Sequence, residues 1–154
     1  MAEYLTRDTV ETVALNGAIQ FIDSIPCSKG YVFHQGGTGI FVLRGIVNNP
    51  CAQSARYEVE FTGNVAIPTG GALTPVATAI VVSGEERTGS RSIFTPAAVE
   101  EFGSVTSRAT IDVPRGCCFV VSVEYVNGTV NDPATTPTPQ INVIDGSLSI
   151  KRTA

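Results

Sequence analysis

His34 is the only imidazole in the 154 residues. A Ser–His–carboxylate set needs that ring beside a positioned nucleophile and a third, orienting group. His34 instead follows Tyr31, Val32 and Phe33. It reads as a strand-end or interface residue, with a coincidental site among the many Ser and Thr left open. Glu85-Glu86 and Glu100-Glu101 are adjacent carboxylates. Glycoside hydrolysis needs two carboxyls converging at ~5–9.5 Å; sequence neighbours do not supply that, and both pairs read as solvated loop charges. Gln35-Gly-Gly-Thr-Gly39 has the glycines of a phosphate loop but lacks the Lys-Ser/Thr ending and a following helix. It reads as a turn between strands.

Four cysteines stand at 27, 51, 117 and 118, with no Cys-x-x-Cys spacing. Cys117-Cys118 is read as two small apolar residues starting a strand, because free Cys is commonly buried; a strained redox disulfide or half a metal site are the alternatives. Cys27 and Cys51 could pair across two loops in an oxidising environment, but cytosolic thiols stay reduced. Asn127-Gly-Thr129 fits a glycosylation sequon and, without a secretory route, is a turn. Asp132, Asp145 and nearby carbonyls could offer oxygen ligands to calcium, though without regular ligand spacing. No catalytic constellation emerges, so the protein is expected not to be an enzyme and to need neither cofactor nor metal.

Charge narrows the partners. The net charge is −4 and the pI about 4.9, with the ten Lys and Arg scattered. Nucleic-acid binding draws on clustered cations that displace counterions, so no nucleic-acid partner is expected. No apolar run approaches the ~18–20 residues of a membrane span. The N-terminus lacks a basic region followed by an apolar core, so no signal peptide and synthesis in a cytoplasm are expected.

The elements that would position any site are strands. In Arg56–Pro68, Tyr57, Val59, Phe61, Val65 and Ile67 alternate with Glu58, Glu60, Thr62 and Asn64. A pleated strand turns successive side chains to opposite faces, so this is a strand with one buried face. Val105–Val113 and Phe119–Tyr125 alternate in the same way. Ile40–Val47 is apolar on both faces except for Arg44 and should lie deep in the sandwich. Ser83-Gly84 opens a polar loop, Pro96–Phe102 should make a turn of helix, and Asn131–Gln140 a long surface loop. About eight to ten strands in one domain is the count of an antiparallel jelly-roll β-sandwich. The domain is expected over residues 13–152, after an N-terminal arm over 1–12 and before a tail over 153–154.

The order of segments then carries a resemblance. Tyr57-Glu-Val-Glu-Phe61, a strand ending Ser83-Gly-Glu85, Ala109-Thr-Ile-Asp-Val113, a Pro-Arg-Gly turn, Cys118-Phe-Val-Val-Ser-Val123 and Ser147-Leu-Ser-Ile-Lys-Arg152 follow one another. This resembles the jelly roll of tumour necrosis factor and the globular heads of complement collagen-like proteins. More narrowly, Gly37-Thr-Gly-Ile-Phe-Val-Leu-Arg-Gly45, Gly63–Gly71 and Val113-Pro-Arg-Gly-Cys-Cys118 are similar to small phage and prophage proteins encoded among virion structural genes.

The resemblance implies a homotrimer that binds partners through its outer loops. It implies a non-enzymatic virion protein on the capsid exterior, as a decoration protein or head fibre, with capsid protein as partner. A carbohydrate- or receptor-binding adhesin, taking a host surface glycan on the loops 85–90 and 131–140, is the alternative. In the resembled fold the strands matching Tyr57–Phe61 and Val105–Val113 face the other subunits. Glu58, Glu60, Arg108 and Asp112 are therefore the expected trimer-interface residues, with Arg108 pairing Glu58 or Glu60. Tyr4, Leu5 and Val10 are the expected capsid-docking anchors. Asp132, Thr135, Thr136 and Thr138 are expected on an outward loop.

Overall fold

The computed structural model describes residues 2–6, 9–25, 31–45, 51, 53–129 and 134–153. Among the described residues there are twelve strands, several of them very short, where about eight to ten were expected: β1 (Ala2–Leu5), β2 (Glu11–Ala14), β3 (Asp23–Ile25), β4 (Val32–His34), β5 (Phe41–Arg44), β6 (Ser54–Ala66), β7 (Val76–Val82), β8 (Glu85–Glu86), β9 (Ser92–Phe94), β10 (Gly103–Pro114), β11 (Cys118–Asn127) and β12 (Gln140–Arg152). They form two antiparallel sheets, a jelly-roll sandwich as expected. One has the order β10-β6-β12-β1-β3, with β2 also paired to β12; the other has the order β4-β5-β11-β7-β8, with β9 also paired to β7.

β6 is the spine of the first sheet. Its alternation places Tyr57, Val59 and Phe61 in the core at 1% exposure or less, while Arg56, Glu58 and Glu60 are exposed. β10 runs beside it in unbroken register from Gly103↔Val65 to Pro114↔Ser54. On the other side β12 pairs with β6 and shifts register between Ile144 and Ser147. Asp145 sits there in the left-handed region at φ 55°. The Thr6 hydroxyl accepts the Gly146 amide at 2.8 Å, and the Thr6 amide donates back to the Gly146 carbonyl at 3.0 Å. A Cβ at Gly146 would lie 2.7 Å from the Thr6 methyl, which is why glycine fills the bulge.

The core joins the sheets through rings that meet edge to face. Phe21 lies 6.2 Å from Phe61 and 5.5 Å from Phe41, and Tyr4 lies 4.5 Å from Phe41. Such pairs add about 0.5–1.5 kcal/mol each beyond their area burial. His34 stacks on Phe41 at 4.3 Å, and its Nε2 lies 2.9 Å from the Thr38 carbonyl. That is the packing of a strand-end residue. A buried hydroxyl pair between the sheets, Thr78 with Ser107, is satisfied at 2.9 Å, as burial of polar groups requires.

Four expectations need correction. The N-terminal arm is not an arm: β1 is a strand between β12 and β3, and β2 pairs with β12. The short segment hid its period because only Tyr4, at 2% exposure, clearly reaches the core. Pro96–Phe102 forms bends and a turn rather than a helical turn. Ser83 and Gly84, at φ 51° and 88°, form a two-residue turn that closes a hairpin between β7 and β8, where a plain loop was expected. The stretch expected deep in the sandwich over 40–47 is only half covered: Phe41 and Leu43 are fully buried, but Ile40 is exposed and Val42 half-buried, while Ile46 and Val47 lie outside the described residues.

Tyr4→Ala should therefore behave as a core truncation and lower stability by about 3–5 kcal/mol. Urea unfolding of the variant tests this; an unchanged midpoint would return residues 2–5 to the role of a loose arm.

Candidate interaction surfaces

The outward face of the β10-β6-β12 sheet is built by strand register. Cross-strand neighbours Arg108↔Glu60, Asp112↔Arg56 and Lys151↔Glu58 place opposite charges side by side. Arg108 Nε approaches Glu60 Oε2 at 3.4 Å, with both side chains largely exposed. Arg56 Nε donates to Asp112 Oδ1 at 2.9 Å. Glu58, Glu60, Arg108, Ala109, Thr110, Ser149 and Lys151 line a shallow depression of about 430 Å³. All four expected interface residues thus share one face. Arg108 takes Glu60 rather than Glu58, and Asp112 takes Arg56, a pairing the sequence reading missed because it needs the β6–β10 register.

The hydrogen bond from Arg56, with Coulombic help from the same guanidinium and from Arg87, holds the Asp112 carboxyl below its ordinary value. The same bond raises Arg56. A depressed carboxyl contributes stability above its unfolded value of 3.8 and loses it as pH falls through the folded value.

The docking anchors separate. Tyr4 is core and offers nothing to an outside partner, because its ring packs on Phe41 and His34. Leu5 is half-buried beside Ser147 and Asp23. Val10 is 49% exposed. The expected outward loop also divides. Asp132 lies outside the described residues, Thr136 is exposed and Thr135 half-buried. Thr138 is not outward but 1% exposed. Its carbonyl accepts Tyr125 Oη at 2.6 Å and its amide donates to Thr74 Oγ1 at 3.1 Å. Burial pushes the Tyr125 phenol up to about 12. Being raised, it favours the fold below pH ~10 and loses that contribution as pH climbs toward its folded value.

Other chemistry-bearing residues fall elsewhere. Cys51, Cys117 and Cys118 are exposed, which corrects the reading of the vicinal pair as buried apolar residues; Cys27 lies outside the described residues. Among the described residues no group of three or more His, Cys, Asp or Glu is placed to hold a metal ion. Arg91 pairs with Glu86 across the β8 turn. The Arg87 guanidinium donates to the Thr110 carbonyl at 2.9 Å, pinning that turn to the β10 edge. Val82, Ser83, Glu85, Glu86, Arg87, Thr88 and Phe119 line a cleft of about 550 Å³ there.

No protein-family model matches the chain, and no curated protein matches its sequence at a significant level. Solved structures do match over the whole domain. The globular domain of zebrafish complement 1qA superposes with a TM-score of 0.61 at 11% identity, covering 99% of this chain and 98% of that one. Eiger TNF from S. frugiperda gives 0.62 at 8%, covering 100% and 92%. Murine APRIL at pH 5.0 gives 0.54 at 9%, covering 96% and 97%. Identities this low speak to the fold alone. The fold is the jelly roll shared by tumour necrosis factor and complement heads.

Asp112 should titrate below 3.8 in the folded protein, and Arg56→Ala should return it toward that value. Carboxyl carbon NMR across pH 2–6 measures both; an Asp112 indifferent to Arg56 would dissolve the pair.

Proposed function

We propose that this protein is a non-enzymatic, homotrimeric structural protein of a phage particle, carried on the capsid exterior as a decoration protein or head-fibre knob. The observation that carries the self-association is the charged face of the β10-β6-β12 sheet. It bears both signs in alternate positions, so it can meet a second copy without net repulsion. The resemblance of 37–45, 63–71 and 113–118 to phage virion proteins supports the setting. The acidic pI of about 4.9 suits an outer position better than one against packaged DNA.

Energetics say how the face would work. In a lone subunit the Arg108–Glu60 pair is solvated and worth about 0–1 kcal/mol. Covered by a neighbouring subunit, the same pair broken on one side costs about 3–5 kcal/mol. Removing one partner should therefore disturb assembly far more than folding, because it leaves the other charge buried and unpaired. Attachment to the capsid falls to the exposed segment at Thr9 and Val10, since Tyr4 is engaged in the core. Three copies per trimer multiply a weak contact through effective concentration.

Light scattering at micromolar concentration should give three times 16.1 kDa. Arg108→Ala should dissociate the trimer at higher concentration while leaving subunit unfolding nearly unchanged, and Arg108→Glu with Glu60→Arg should recover it. A clean monomer, or an indifferent Arg108, sinks the interface. Val10→Asp should leave a folded trimer with reduced occupancy on purified particles. Full occupancy would remove Val10 from the contact, and absence of the protein from particles would remove the virion role. A deletion of the first ten residues is the wrong probe, because it takes β1 out of the sheet.

A further inference from the structure

The outward face of the second sheet is the opposite of the first. Phe33, Val42 and Val120 stand opposite one another across β4, β5 and β11, and Ile40 shares the face two residues before Val42. Phe33, Ile40 and Val120 are 54%, 52% and 44% exposed. At one end of this field lie Arg44 and Cys118, an exposed register pair. Arg44 has no ion pair among the described residues. Association through the charged sheet leaves the field uncovered, because the two faces lie on opposite sides of the sandwich. An apolar field with one unpaired cation calls for an apolar segment bearing a carboxylate.

The chain carries such a segment. Val99 and Phe102, each 38% exposed, flank Glu100 and Glu101. Glu100 is spent locally: Oε1 accepts the Thr69 amide at 3.0 Å and the Thr69 hydroxyl at 3.3 Å, and its own amide donates to Ile67. This fixes the loop and leaves Glu101 exposed, without an ion pair among the described residues. The loop and the field cannot meet within one subunit. The loop precedes the first residue of β10, whereas Val120 follows the turn after its last. The 12 residues of β10 span about 40 Å at the usual rise per residue.

We infer that the β4-β5-β11 face of one copy receives the Val99–Phe102 loop of a second copy, with Glu101 meeting Arg44. The contact joins different patches, so it is head-to-tail and propagates rather than closing on itself unless a rotation closes it. It is separate from the charged-face contact and would link trimers to one another.

Cys118 makes the contact testable in the full chain. In a background with Cys27, Cys51 and Cys117 changed to Ser, Ala98→Cys should give a ladder of cross-linked species on oxidation with diamide. The ladder should need both Cys118 and the new thiol, and Val120→Glu should abolish it. Without oxidant, light scattering of the wild type should show mass growing with concentration up to roughly 1 mM, the regime of weak contacts. Arg44→Glu and Glu101→Arg should each weaken that growth roughly fivefold, the factor a rim ion pair supplies, and together restore it. Mass that stays flat, a ladder that ignores Ala98→Cys, or a charge reversal without recovery overturns the contact. A stable trimer that does not grow refutes this contact alone. Growth in steps of one subunit refutes the trimer alone.

Discussion

The register of β6 between β10 and β12 is the constraint on which the rest of this molecule depends. Its 13 residues meet β10 along an unbroken ladder of twelve partners. A slip of one residue would turn Tyr57, Val59 and Phe61 to solvent and bring Glu58 and Glu60 into the core. Burying unpaired carboxylates costs far more than the ladder could recover. The same register sets Arg108 beside Glu60 and Asp112 beside Arg56, so the core and the charged face are two consequences of one alignment.

The second sheet obeys the same alternation with a different outcome. β7 is buried along nearly its whole length, because small residues such as Ala77 and Ala79 on its outward side are covered by their neighbours. β4 and β11 lack that cover at Phe33 and Val120, as does Ile40 just before β5. The sandwich therefore presents one face of paired charge and one apolar field. Charge pairs give an interface its register and selectivity, and the apolar field gains from any partner of matching shape. A protein built this way is suited to assembly, and its two faces can engage different neighbours.

Rigidity supports that reading. The hairpin turn at β8 is pinned to the β10 edge by Arg87, and the Ser92 hydroxyl accepts the Thr106 amide at 3.3 Å. Both bonds use groups on the free side of an otherwise open edge strand, which limits uncontrolled strand addition there. The loop at 134–139 is tied to β11 through Tyr125 and Thr138.

The sequence by itself determined the strands with long, clean alternation. β6, β10 and β11 were legible because period 2 is a local property of the chain, and their number and turns pointed to a jelly roll. The outward placement of Glu58, Glu60, Arg108 and Asp112 followed from the same period. Tertiary structure alone decided which charge meets which, since partners 48 to 56 residues apart in sequence are joined only by register. It alone decided that Tyr4 belongs to the core: a four-residue strand carries too few positions to show a period, and its place is set by β12 and β3. It buried Thr138, because a loop threonine becomes core when a tyrosine beneath it needs an acceptor. It left Ile40 and Val120 in solvent, because hydrophobicity says that a residue gains from cover, while only the packing of the other strands says whether this chain supplies it.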